Sequence, residues 1–406
     1  MSSGSVTARA GQVLRSDGDA PLVADQKKMK SARIPELDGL RGVAILLVIC
    51  VHYIRSQGPT GGPITTFLQK FLALGWSGVD LFFVLSGFLI GGILLDARAS
   101  PNYFKTFYAR RFFRIIPLYY GWIALYVLLL TFGSHVVQKH SLAGRPETVG
   151  LIVYVHLVFL QNLLPISTLG LAGVWFSQMW SLAVEEHFYL VCPFVVRMLS
   201  NRRLYFALVA VSAASLFLRV VLRSATHVRA DWVYIATPCR ADTLAIGVLA
   251  ALLWRSEGFR ERVSSHPKIF TVVGSVLGLG TFCLWLSEWR WGAVSILMQT
   301  VGYTWLAAFY AMSVITVLLR PASLLAKWMR MAWLRGLGIV SYFIYITHDA
   351  INVICSALLL RSPPRVSTLS GAAVTMFAFL LTYALARLSW RFFERPLLER
   401  GHHFKY

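Results

Sequence analysis

The chain has 406 residues, 57% hydrophobic and only 14% charged, with 13 tryptophans and a formal net charge of +21. That composition excludes a soluble globular domain and indicates a helical protein with many membrane spans. The positive charge does not indicate nucleic acid, because the basic residues punctuate apolar runs and form no single patch.

The first 33 residues are polar and end in Lys27, Lys28, Lys30 and Arg33. No apolar core precedes a cleavage site, so 1–33 reads as a disordered cytoplasmic tail and not a signal peptide. Residues 34–400 form the membrane domain, and 401–406 a short C-terminal tail. Apolar runs long enough to span lie near 40–55, 71–95, 115–133, 180–199, 204–222, 239–255, 269–286, 292–318, 336–360 and 368–390. The run at 151–164 is short and is followed by Pro165. If it spanned, the cluster Arg197, Arg202 and Arg203 would face outward. With ten spans, both termini are cytoplasmic and most Lys and Arg lie on the inner side. The 151–164 run then becomes a surface or re-entrant helix in a long external connection, 134–179. The expected fold is an all-α polytopic protein, integral to the plasma membrane. No fixed-period or inverted repeat is visible. The cysteines Cys50, Cys192, Cys239, Cys283 and Cys355 lack metal-ligand spacing, so neither disulfides nor a metal site is expected.

The first span opens with Glu36-Leu37-Asp38-Gly39-Leu40-Arg41-Gly42 and closes with Val51-His52-Tyr53. From Arg41 to His52, eleven steps of about 100° return to within roughly 20° of the starting direction and cover about 16 Å. Either residue alone fits a bland role, a snorkelling arginine or a packing histidine. Together on one face, in a chain with further intramembrane charges, they point to a functional site. Asp38 shares the cytoplasmic layer with Arg41.

Trp76 to Gly91 carries Asp80 near the external end, at the depth of His52. A carboxylate there can hold the imidazole in one tautomer. Ser86 can donate a hydrogen bond, and the Gly87–Gly91 pair has the GxxxG spacing of close helix crossings. Arg110, Arg111 and Arg114 form a dense cationic set with forked donors suited to phosphates, with lipid contact or a topology signal as the plain alternative. In Trp180 to His187, Ser181 and Glu185 are i,i+4 on one face. Ser181 suits an N-cap, while Glu185 suits supporting the base or facing the acceptor. Arg240 and Asp242 read as an ion pair at the external rim or as acceptor contacts. Tyr345 and His348 are i,i+3, and His348 competes with His52 for the role of general base.

These pieces, in this order, resemble the acyltransferase-3 family of integral membrane O-acyltransferases. The matching stretches are Leu37 to Gly42 with His52, Asp80 to Phe88, Arg110 to Arg114, Trp180 to Glu185, Tyr342 to Tyr345 with His348, and Phe393-Glu394-Arg395-Pro396. The resemblance implies ten helices, an acyl-coenzyme A donor on the cytoplasmic side, acetyl-coenzyme A first among them, and no tightly bound cofactor. It implies a hydroxylated acceptor such as a sugar, a polysaccharide or a macrolide. It also implies that Arg41 and His52 are essential and that the arginine cluster serves the donor. The chain resembles the stand-alone form, without the esterase-like domain that some members add. On this reading His52 is the general base, Asp80 or Glu185 stabilises its imidazolium, and Ser86 or a nearby tyrosine stabilises the oxyanion. Arg41 and His52 are expected to line one tunnel. The rival reading is a transporter or flippase, in which the same charges line a solute or proton path.

Overall fold

The computed structural model describes residues 34–55, 62–132, 146–164, 170–224, 229–291 and 295–406. The 1–33 tail lies outside the described residues. Glu36–Tyr406 folds as one compact unit. Its helices are α1 (Pro35–Cys50), α2 (Pro63–Phe71), α3 (Gly78–Asp96), α4 (Tyr103–Phe132), α5 (Pro146–Leu157), α6 (Trp180–Met198), α7 (Asn201–Ser224), α8 (Ala230–Ile235) and α9 (Thr237–Arg255). They continue with α10 (Glu257–Ser265), α11 (Pro267–Trp291), α12 (Tyr303–Leu319), α13 (Leu324–Met329), α14 (Ala332–Ile339), α15 (Ser341–Leu360), α16 (Leu369–Ser389) and α17 (Arg395–His402).

Each of the ten expected spans is carried by helix over most of its described residues; 133 and 292–294 lie outside the described residues. Among the described residues, nine helices are long and apolar enough to cross a membrane. The tenth expected span is α6, 19 residues long, or about 28 Å. Glu185, Glu186 and Arg197 within it set it apart from the nine. Helix α5 has 12 residues, about 18 Å, too short to span. It packs inward on α4: Tyr119 Oη donates to the His156 carbonyl at 2.9 Å and Tyr120 Oη to that of Leu157 at 2.8 Å. This is the non-spanning helix expected near 151–164.

Helices α3 and α9 form the centre, and α11 is almost wholly exposed. Their crossing depends on glycine. A Cβ on Gly87 would collide with the Leu244 carbonyl oxygen of α9, and one on Gly247 with the Val84 carbonyl oxygen of α3. Backbone oxygens cannot rotate away, so any side chain forces the helices apart. At Gly91 the nearest atom is the Val248 Cγ1, 2.9 Å away, and a side chain can yield. Gly87→Ala is therefore expected to cost about 1–3 kcal/mol, read as a lowered Tm in detergent, and Gly91→Ala less. Equal Tm values for the two variants would refute this account of the crossing.

The end of the chain is not a free tail. The α17 helix packs on α4, and the 403–406 stretch folds back over it. Thr106 Oγ1 donates to the Lys405 carbonyl at 2.9 Å. Arg110 Nε and Nη2 donate to the Phe404 carbonyl at 3.1 and 2.8 Å, and the guanidinium lies 5.0 Å from the Tyr406 ring centre.

Candidate functional site

On the side to which the Lys/Arg distribution assigns the cytoplasm, a cavity of about 240 Å³ opens between α1, α3, α4, α6 and α15. Its polar lining comes from Arg41, Ser86, Arg111, Arg114, Ser181, Glu185, Tyr189, Ser341, Tyr342 and Tyr345. Each of these residues is carried by a helix. Helix α1 is held against α14 by close backbone contact: a Cβ on Gly42 would collide with the Leu334 carbonyl oxygen.

Among the charged groups lining the cavity, three are guanidiniums and one is a carboxylate, Glu185. The strongest electrostatic neighbour of Arg114 is Arg41, with Arg111 also close. Arg41 is held near Asp38 and Glu185. Three like charges converging in a low-dielectric space repel one another unless an anion joins them. Arg111 Nε is a buried donor with no hydrogen-bond partner among the described residues. A smaller cavity, about 100 Å³, shares Arg111 and Arg114 and extends to His402 and Tyr406. Arg110 lines this one too, with its Nε and Nη2 also donating to the Phe404 carbonyl. Arg41, Arg111 and Arg114 thus converge on the larger cavity, and Arg110 joins Arg111 and Arg114 in the smaller one while also holding the 403–406 stretch.

A hydroxyl chain runs along one wall. Ser86 Oγ and Tyr189 Oη are 2.8 Å apart, and Tyr189 Oη donates to Glu185 Oε2 at 3.1 Å. Tyr189 is i,i+4 from Glu185, a spacing open to sequence reasoning that had been applied only between Ser181 and Glu185. At the far end, Tyr345 Oη lies 2.6 Å from Ser181 Oγ and donates to the Gln178 carbonyl at 2.9 Å.

His52 stands beyond this end, and Tyr345 is the element common to both regions: it lines the cavity, and its ring centre is 6.4 Å from that of His348. The helix leaves α geometry at Val51 for a π turn, Val51–Arg55, an irregularity often found at functional sites. His52 Nδ1 lies 2.6 Å from His348 Nε2. The ring planes are within 6° and the centres 4.9 Å apart, so the rings meet edge to edge and not face to face. Tyr53 Oη donates to the His348 carbonyl at 2.9 Å.

Several expected pairings are corrected. Asp80 does not face His52; it forms a fully buried ion pair with Arg240. The Arg240 guanidinium lies 4.2 Å from the ring centre of Tyr303 and 5.4 Å from that of Tyr234. Asp242 does not pair with Arg240. It pairs with Arg219 at 2.8 Å, and both side chains are fully buried. Thr304 Oγ1 donates to the same Asp242 oxygen at 2.6 Å. A buried charge without a counter-charge is costly, so each carboxylate takes the guanidinium that its packing brings near. Arg219 was legible as a lone cation in an apolar run and was overlooked. Glu185 does not support His52 either; it faces Arg41 and Tyr189. Arg41 lines the cavity and His52 does not, so the two do not share one lining as expected; Tyr345 is the lining residue whose ring neighbours His348. His156 is a packing histidine. Its Nδ1 donates to the Ile152 carbonyl at 2.6 Å, and burial pulls its pKa down to about 4.

Comparison with known proteins gives the same assignment as the motifs. The profile of the Acyl_transf_3 family, described as an acyltransferase domain, matches residues 34–387. The O-acetyltransferase OatA of Staphylococcus aureus (strain NCTC 8325 / PS 47) is 28% identical over 398 residues, covering 92% of this chain and 59% of the relative. The peptidoglycan O-acetyltransferase OatA of Listeria monocytogenes is 28% identical over 380 residues, covering 91% of this chain and 56% of the relative. The chain thus spans less than two thirds of the length of these relatives. No solved structure matches it. The match over most of the chain, on a membrane-spanning all-helical fold that carries the motifs in order, places this protein in the acyltransferase-3 family.

Proposed function

We propose that the protein is a membrane O-acyltransferase that moves an acetyl group from acetyl-coenzyme A to a hydroxyl of a cell-surface carbohydrate. The observation that carries this reading is the convergence of Arg41, Arg111 and Arg114 on one cavity that ends beside a paired histidine. Guanidiniums bind phosphate oxygens through paired donors, and the unpartnered Arg111 Nε offers one more. The 3′-phospho-ADP end of the donor belongs at the arginines. The pantetheine arm then follows the cavity wall toward Tyr345. The names of the relatives above support acetyl as the group moved, and the Listeria relative's name supports a glycan acceptor.

In this mechanism His52 Nε2 takes the proton of the acceptor hydroxyl as its oxygen attacks the thioester carbonyl. The tetrahedral intermediate collapses by breaking the C–S bond, and the coenzyme A thiolate leaves with the proton. Because Tyr345 lies between cavity and histidine pair, the thioester reaches His52 only when the Tyr345 side chain swings aside from Ser181.

Donor binding tests this reading. Arg111→Ala is expected to weaken coenzyme A binding about 10- to 100-fold, the effect of losing a charge-assisted contact. Binding to the unsubstituted protein should also fall as salt is raised. Isothermal titration of the purified protein in detergent measures both. No binding by the unsubstituted protein, or binding indifferent to Arg111, would exclude this donor site.

A further inference from the structure

The edge-to-edge histidines fix where their protons are. His348 Nδ1 lies 2.9 Å from the Ile344 carbonyl oxygen and 3.0 Å from that of Tyr345. Carbonyl oxygens only accept, so Nδ1 of His348 carries hydrogen. In neutral His348 the other nitrogen, Nε2, therefore has a lone pair and no hydrogen. At 2.6 Å two lone pairs cannot face each other, so His52 Nδ1 must donate. In neutral His52 this leaves Nε2 without hydrogen; the only hydrogen bond of the ring among the described residues is the one to His348, and the Asp349 carboxylate is the charge that acts on it.

We propose that His348 is a positioning residue: it holds His52 in the Nδ1–H tautomer, so that Nε2 is the atom that accepts the proton of the acceptor hydroxyl. The proposal rests on the reading of His52 as general base. It replaces the competition between two candidate bases with one base and one orienting partner. The chain His52–His348–main chain takes the place that a carboxylate fills in a hydrolase triad. The proton inventory closes. When His52 Nε2 gains a proton, the Nδ1 proton can shift to His348 Nε2, and His348 keeps its own Nδ1 hydrogen on the two carbonyls. The positive charge is then shared by two rings, one of them already bonded to carbonyl dipoles. When the thiolate leaves, the proton returns along the same line.

Glutamine and leucine at 348 separate orientation from bulk. In His348→Gln the amide oxygen can reach the place of Nε2 and accept from His52 Nδ1; leucine fills similar space and accepts nothing. Acetyl transfer is measured for both proteins purified in detergent, each shown to be folded by its melting curve. His348→Leu should lower kcat on the order of 10²-fold with the donor KM unchanged. His348→Gln should stay within about tenfold of wild type. In a His52→Ala background, His348→Leu should remove nothing further. The proposal is overturned if folded His348→Gln is as inactive as the leucine protein, or if His348→Leu works at the normal rate. It is equally overturned if His348→Leu costs as much without His52 as with it, since His348 would then act on its own. The base reading itself fails on a different result, full activity of His52→Ala alone.

Discussion

Replacing His52 with alanine is expected to lower kcat for acetyl transfer about 10²- to 10⁴-fold, the usual contribution of a positioned general base. The donor KM should change little, because the proposed site for the donor phosphates is Arg41, Arg111 and Arg114, which line a cavity that does not include His52. Arg41→Ala should give the opposite signature, a raised donor KM with a smaller change in kcat. The contrast is sharper than either variant alone, since both residues sit on one continuous helical segment, Pro35–Ile54. A damaged α1 would affect both parameters in both proteins. Steady-state kinetics with acetyl-coenzyme A and a soluble glycan acceptor provide the four numbers. A His52→Ala protein with normal kcat, or one that differs only in donor KM, would remove histidine from the chemistry.

What the sequence shows and what it hides follow from the same geometry. Helical periodicity relates residues along one helix, so the shared region of Ser181 and Glu185, the GxxxG crossing at Gly87 and the short helix before Pro165 were all legible. Spacing along each helix suggested similar depths for Asp80 and His52, but depth does not give direction around the bundle. Asp80 points toward α9, where Arg240 meets it, while the partner of His52 comes from α15, 296 residues later in the chain. The same limit explains Asp242, whose counter-charge lies on α7. The π turn at Val51–Arg55 and the docking of Phe404 on Arg110 rest on tertiary contacts that no local pattern announces. The shared lining of Arg41 and His52 was not legible for a related reason: Tyr345, read as a neighbour of His348, is also tied to Ser181 and lines the cavity that His52 does not reach.

The buried pair of Asp80 and Arg240 gives the second large effect, on stability. Removing either partner by Asp80→Leu or Arg240→Met should cost about 3–5 kcal/mol, because the remaining charge stays buried without its counter-charge. Both side chains are completely enclosed, so water cannot relieve it. The double variant Asp80→Leu/Arg240→Met should recover most of that loss, since two apolar side chains of similar volume carry no desolvation penalty. Melting curves of the three purified proteins in one detergent measure the cycle. The cycle also decides what Asp80 does. A double variant that is stable and retains acetyl transfer shows that the pair is scaffold, holding α3 and α9 in register above their glycine crossing. A double variant that is equally stable yet inactive returns Asp80 or Arg240 to the reaction, with the Arg240 guanidinium over Tyr303 and Tyr234 the first place to look. Additive losses in the two single variants, with no recovery in the double, would mean that the two charges do not stabilise each other at all.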